Sequence, residues 1–522
     1  MDRLSKLWPS RAVTGGNYEL LPTSQDQSSN DDIRSHASSF SRRKRLCARP
    51  LSPKWLATGF VVVLILGGLY VYSGRSADVD DPLPTTPEPL PADAPVEQQP
   101  DVIPDTPTPP RPPPLYEEYN ERERLLPQHN IFAASPDGSH AKFLWFANHG
   151  SHFGWGNYMQ EMLLNAYLAY SAQRSYVFDN YTWEREGPDI ADWNGKPIPA
   201  RIPLSVFLSG AAYSRRAHAR PDVPRSVSRQ YSLEICPQDR KFVVDTRKIQ
   251  EKLHQNPTAS EIVEKWVEEL KRIDEPCVEI HQGSPALFDY EITNTDRVLD
   301  IFPSLSKSPI LANFGWSPLI LEAFNDNLEY FVSPSDLDAP PSTTTTSLTP
   351  LKGLLALHVR RGDYETWCEN TYNNGMSYTG FNSFTELPDK YTPSHRPGSK
   401  TTMEDSMRHC LPSIEQIVKR VMDVAGEGTT TTRVYVLTNG SRPWLAELKA
   451  ALEAARKWPG GVATSRDLEL SWEAKFVAEA VDMYVASRAE RFIGNGFSSL
   501  TSNIVLLRMH NPDLDPTNTR FW

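Results

Sequence analysis

GLLALHVRRGDY, residues 353–364, is the stretch from which the architecture is read. Residues 353–359 form a buried strand, and Arg360 and Arg361 leave its carboxyl end. Two guanidinium groups at a buried strand end are costly unless an anion or carboxylate meets them, and their fork of donors suits phosphate oxygens. The spacing leaves two readings open: an anion site, or an internal salt bridge to Asp363.

Outward from this strand, a second string behaves alike. Residues 491–494 (RFIG) read as a strand, and Asn495-Gly-Phe-Ser498-Ser499-Leu-Thr501 then opens a helix over 498–509. Amides and hydroxyls at a helix N-terminus bind anions, while ordinary capping by Ser498 or Ser499 is the plainer alternative. On one sheet the two loops could cradle a diphosphate from both sides. Neither a Walker pattern nor a GxGxxG is present.

The remaining periodicity alternates strand and helix. Strands are predicted at 142–147 (KFLWFA), 175–179 (SYVFD) and 433–437, and helices at 157–172, 258–273, 317–331, 411–425, 443–457 and 473–488. Such alternation argues for α/β with two parallel sheets around a cleft. Ligands bind beyond the carboxyl ends of such strands, so the informative loops follow residues 147, 359, 437 and 494.

The chain around this core is layered. Residues 55–73 (WLATGFVVVLILGGLYVYS) carry no charge and span about 28 Å as a helix, close to a hydrocarbon core of roughly 30 Å. Arg42, Arg43, Lys44, Arg45, Arg49 and Lys54 precede the run, and Arg75 then Asp78, Asp80 and Asp81 follow it, which sets the N-terminus in the cytosol. Fourteen of the 45 prolines lie between Pro82 and Pro114, the composition of an extended spacer. The predicted layout is a cytosolic tail (1–54), an anchor (55–73), a Pro-rich stem (74–138), an N-terminal α/β domain (139–333), a linker (334–350) and a C-terminal α/β domain (351–522). It is the layout of a single-pass type II protein of the Golgi or ER membrane, with its large domain in the lumen. The net charge of −11 disfavours nucleic acid as a partner. Cys47 falls on the cytosolic side, where it is either palmitoylated or an idle thiol. The other four cysteines would meet an oxidising lumen, where pairing by proximity, Cys236 with Cys277 and Cys368 with Cys410, is favoured among three connectivities. Sequons stand at Asn180 and Asn439.

LLALHVRRGDY, RVYVLTN (433–439) and RFIGNGFSSLTSNIVLLR (491–508) resemble the three C-terminal motifs of GDP-fucose-dependent fucosyltransferases, the protein O-fucosyltransferases and the related α1,6-fucosyltransferases. Phe153-Gly-Trp-Gly-Asn157 is similar to their N-terminal glycine-asparagine loop. The resemblance implies a GT-B arrangement of two Rossmann-like domains, 139–333 on the acceptor side and 351–522 binding the nucleotide sugar, with GDP-fucose as donor and no metal. By position, Arg360 would meet the β-phosphate and stabilise the leaving GDP, and His358 and Asp363 would shape that loop. Arg361 belongs to the same donor loop. Ser498 and Ser499 would bind phosphate oxygens, Thr438 and Asn439 would lie near the nucleoside, and Asn157 would reach the sugar from the opposite domain.

Two departures matter. Asn439 stands where the family usually carries an acid, and the glycine-asparagine loop offers Gly154 and His152 where some members carry a carboxylate base. The acceptor-activating base is left among His152, Glu161 and Asp179 by position. Residues 365–409, rich in Asn, Tyr, Pro and Ser, are read as a cover on the acceptor side. The expected function is inverting, metal-independent fucosyl transfer to a glycoprotein or glycan. A GT-B transferase for another nucleotide sugar, or a non-catalytic glycan-binding relative, stays open. The Asn439 sequon is expected to be unused, with its amide hydrogen-bonded near the base.

Overall fold

The computed structural model describes residues 111–129, 141–193, 195–210, 225–333, 349–362, 364–426 and 431–522. The tail with Cys47, the run at 55–73, the spacer as far as residue 110 and linker residues 334–348 lie outside the described residues. Among the described residues no helix is long and apolar enough to cross a membrane.

Ten strands make two five-stranded parallel sheets. The first holds β1 (Phe143–Phe146), β2 (Ser175–Phe178), β3 (Val227–Ser228), β4 (Lys241–Val244) and β5 (Cys277–Ile280) in the order β3-β2-β1-β5-β4. The second holds β6 (Leu351–Val359), β7 (Arg433–Thr438), β8 (Val462–Thr464), β9 (Ala489–Gly494) and β10 (Thr519–Phe521) in the order β8-β7-β6-β9-β10. In each sheet the first strand in the chain, β1 or β6, lies in the middle. The loops that leave β1 and β6 therefore emerge among those of their neighbours, and the chemistry collects there.

The residues of β6 alternate between two cores. Leu354 and Ala356 pack in one buried cluster; Leu355, Leu357 and Val359 pack in the other with Ile417, Val421, Leu448 and Leu452. Side chains alternate across a strand, and both faces of a parallel sheet need cover, so the continuous apolar run is the expected signature. One face is covered by α7 (Ile414–Gly426) and α8 (Arg442–Ala455), the helices that supply Ile417, Val421, Leu448 and Leu452. On the other lie α9 (Ala478–Arg488) and α10 (Ser499–His510), which pack against each other. In the N-terminal half, α2 (Trp155–Ser171) follows β1, and α3 (Ala259–Lys271) begins with a capping box, Thr258 with Glu261, as its sequence suggests.

Several boundaries differ from the sequence reading. Residues 112–129, inside the predicted spacer, fold onto the core: α1 (Glu117–Arg124) follows a buried Tyr116, and Glu123 accepts from the Ser205 amide at 2.8 Å. The proline count masked these few buried anchors. The helix expected at 317–331 ends early: α4 is Pro318–Asn325, and a 3-10 turn at Leu328–Tyr330 follows. Residues 365–409 begin in α5 (Tyr364–Asn373) and end in α6 (Met403–Cys410), with turns and a 3-10 turn at Gly380–Ser383 between them. The disulfides pair Cys236 with Cys277 and Cys368 with Cys410, the latter stapling α5 to α6.

Candidate functional site

The alternation of β6 carries on past its end and sends the two arginines to different places. His358 shares the face of Ala356, and its Nδ1 lies 2.7 Å from Thr501 Oγ1 on α10. Burial, and then the Arg360 charge, push this imidazole down to about 3, so it is neutral. The His358 carbonyl accepts from the Trp522 indole at 2.9 Å. His358 thus ties the strand to the helix beside it.

Arg360 follows on that face, 1% exposed, with its guanidinium 5.2 Å above the Tyr364 ring. The Tyr364 hydroxyl donates to the Phe497 carbonyl at 2.9 Å, which brings the arginine loop against the turn that opens α10. Arg361 takes the opposite face, stacking 4.3 Å over Trp444 and donating to the Pro412 carbonyl. Burial pushes its guanidinium down to about 10. The expectation joined the two arginines in one site, but the strand's period of two separates them. Asp363, and with it the salt-bridge alternative, lies outside the described residues.

At the start of α10, Ser498 is 2% exposed, and its hydroxyl makes no hydrogen bond among the described residues, a cap bond included. Simple capping by Ser498 is therefore not what this residue does. Ser499 is buried beside it. Their turn is shaped from the 365–409 segment: Asn382 Nδ2 donates to the carbonyls of Gly496 at 2.9 Å and Ser498 at 3.2 Å. A Cβ at position 496 would lie 2.3 Å from the Tyr378 ring, so only glycine fits. Sequence reasoning missed Asn382 and Tyr378, because nothing in a Ser- and Pro-rich segment marks a residue that buttresses a turn over a hundred positions later.

The glycine-asparagine loop meets the same helix. Asn503 Nδ2 donates to the Gly156 carbonyl at 2.7 Å, and Gln160 Nε2 to Ser502 Oγ at 2.7 Å. Thus α2 and α10 begin side by side. Asn157 is half-buried at that junction, and its side chain makes no hydrogen bond among the described residues. Next to the arginine loop, Thr438 Oγ1 accepts from the Gly440 amide at 2.9 Å. The Asn439 amide pairs with the Arg361 peptide, accepting at 2.8 Å and donating at 3.0 Å.

Two of the three base candidates, Glu161 and Asp179, occupy a buried charged cluster under the loop after β1. Glu161 accepts from the Gly150 amide at 3.0 Å, and burial raises its carboxyl above the ordinary range. Burial raises Asp179 too, but His149 at 3.4 Å and Arg229 at 3.6 Å outweigh it, and the carboxyl is lowered. Arg185 reaches His149 Nε2 at 3.2 Å. A small cavity lies among Phe146, His149, Tyr158, Glu161 and Asp179. His152 is the exposed candidate, held at φ 64° with Nδ1 3.2 Å from Ser151 Oγ. No sequence spacing brought His149, Arg185 and Arg229 together.

The arrangement offers a buried cation, a buried hydroxyl without a partner among the described residues and a helix N-terminus at the ends of two adjacent strands, which is anion chemistry. Among the described residues no group of three or more His, Cys, Asp or Glu side chains is placed to hold a metal ion. The sequence model of the family described as GDP-fucose protein O-fucosyltransferase matches residues 221–511, more than half of the chain. No curated protein sequence matches. Among solved structures, a crystal structure of POFUT1 in complex with GDP-fucose is 14% identical, with a TM-score of 0.47, over 75% of this chain and 99% of that one. NodZ alpha-1,6-fucosyltransferase soaked with GDP-fucose is 11% identical, with a TM-score of 0.34, over 70% of this chain and 92% of that one. Arabidopsis thaliana FUT1 in complex with GDP is 10% identical, with a TM-score of 0.31, over 75% of each chain.

Proposed function

The chain belongs to the GDP-fucose protein O-fucosyltransferase family and is a fucosyltransferase; from that premise we propose an inverting, metal-independent enzyme of GT-B type that moves fucose from GDP-fucose to a hydroxyl of a glycoprotein or glycan. The observation that carries the site is that buried Arg360 and the buried Ser498 hydroxyl, which is unbonded among the described residues, follow the carboxyl ends of neighbouring strands. The diphosphate lies between them. As the bond from fucose C1 to the β-phosphate breaks, charge grows on the leaving GDP. A fixed guanidinium and the first amides of α10 stabilise that charge without reorganising. Asn157 contacts the sugar from the other sheet. The acceptor hydroxyl attacks C1 from the face opposite GDP, which inverts the configuration, and the Golgi or ER lumen is the compartment that the 55–73 run implies.

Titration calorimetry of the purified protein tests the donor. GDP and GDP-fucose should bind, with GDP-mannose and UDP-sugars weaker by at least tenfold. Equal binding of a UDP-sugar would move the enzyme to another donor class, and no nucleotide binding at all would leave only a glycan-binding role.

A further inference from the structure

We infer that Asn439 is a positioning residue for the transfer, which clamps the Arg361 peptide and thereby aims Arg360, and that its sequon carries no glycan. The inference rests on the donor-site reading of Arg360. The clamp is a two-way pairing: Asn439 Oδ1 accepts from the Arg361 N–H at 2.8 Å, and Nδ2 donates to the Arg361 carbonyl at 3.0 Å. The main-chain ladder between β6 and β7 ends at the pairs His358 with Leu437 and Val359 with Thr438. A side-chain amide thus adds one more rung past the point where the strands stop. Arg360 sits between that last rung and the clamped residue, so the peptides on both sides of it are held. Arg361 is fixed a second time through its side chain, on Trp444 and the Pro412 carbonyl. The chain can turn away only after this point, at Gly362, whose φ of 74° favours glycine. A Cβ there would meet Asn439 Nδ2 at 3.4 Å.

Only a carboxamide supplies both halves of the pairing. Aspartate keeps the acceptor for the Arg361 N–H but has no donor for the carbonyl. Alanine loses both. A glycan replaces one hydrogen on Nδ2, in the trans amide the one beside Oδ1 that donates to Arg361, and the position is half-buried, so occupancy and the clamp exclude each other. Ser441, the third residue of the sequon, is exposed and makes no cap hydrogen bond for α8. Ser441→Ala therefore deletes the glycan signal and leaves the clamp whole.

The test measures kcat and donor KM for the full chain made in a glycosylating host, beside glycopeptide mass spectrometry and thermal melting. Asn439→Ala should lower kcat by about 10- to 100-fold, the scale of a misplaced catalytic group, with donor KM changing by less than about threefold. Asn439→Asp should recover part of that loss, Ser441→Ala should turn over like the parent, and residue 439 should carry no glycan in active protein. Parent-like kcat in Asn439→Ala overturns the clamp, as does a glycan on Asn439 of active enzyme. If Asn439→Ala does not fold, Asn439→Asp decides: lowered kcat at constant KM upholds the clamp, and parent-like kcat overturns it. Arg360→Ala separates the two levels. An inert Arg360→Ala beside a fully active Asn439→Ala sinks the clamp alone, whereas an active Arg360→Ala brings down the donor-site reading and the clamp together.

Discussion

The turn after β6 and the turn after β1 both leave the middle strand of a five-stranded parallel sheet, yet they are built on opposite principles. The first takes its functional side chains from one contiguous stretch. His358, Arg360 and Arg361 follow one another along the chain, the faces alternate, and the Asn439 amide closes the end. The second is held by charges gathered from a distance: His149, Glu161, Asp179, Arg185 and Arg229 come from four separate segments. A site written into contiguous residues can be read in one dimension, while a site assembled by folding cannot.

The strongest test of this contrast is Arg360→Ala. Removing a cation aimed at the leaving diphosphate should cost about 3–4 kcal/mol, two to three decades in kcat. Arg360→Lys should fail nearly as far, because a point charge does not reproduce the fork. Single-turnover rates on folded protein measure both, and parent-like rates would dissolve the distinction between the two turns.

Ser498→Ala is the next step down. If the buried hydroxyl donates to a phosphate oxygen, its loss should weaken GDP binding by roughly ten- to a hundredfold, the worth of a hydrogen bond to a charged group. If the hydroxyl only fills space, calorimetry will find the affinity unchanged.

A smaller effect has opposite signs in the two turns. His358 is lowered to about 3 by burial and by Arg360, so the unfolded chain binds the extra proton. Its contribution is complete above about pH 6.5 and is lost as the pH falls toward 3. Glu161 is raised by burial, so its contribution is complete below the unfolded value of about 4.3 and is lost as the pH rises through the raised folded value. In urea melts, His358→Gln should therefore remove a rise of stability with pH below about 6.5, and Glu161→Gln a fall of stability with pH above about 4.3. The same slope change in both variants would refute the contrast.

The smallest effect expected is none. The Asp-x-Asp strings, such as Asp513 with Asp515, fall outside the arginine and serine loops in the sequence, so turnover should persist in EDTA. Loss in EDTA with rescue by manganese would place the enzyme in another transferase class.

How far the sequence carries the fold follows from the same physics. The strands at 353–359, 433–437 and 491–494 were legible because an apolar run between a helix and a polar turn has few other uses. The helix starts at Thr258 and near Ser498 were legible from their capping residues and short hydroxyl-rich turns. The edge strands β3 and β8 were not, because Val227–Ser228 and Val462–Thr464 are too short to show a period. Nor was the fold of residues 112–129, where a few buried side chains such as Tyr116 and Glu123 outweigh a proline-rich approach.

For the site, the sequence by itself determined which residues bear charge, hydroxyl or carboxamide after β6, β9 and β1: Arg360, Arg361, Ser498, Ser499 and Asn157. Only the tertiary structure decided their work. It turned Arg361 away to Trp444, left the Ser498 hydroxyl unbonded and put the Asn439 amide on a peptide 78 residues earlier. It also set α2 against α10, so that Asn157 and Ser498 share one junction. The reason is that residue chemistry and local period are properties of neighbours along the chain. Which side of a sheet a side chain takes, and which distant group it meets there, depends on the register and packing of strands far apart in sequence.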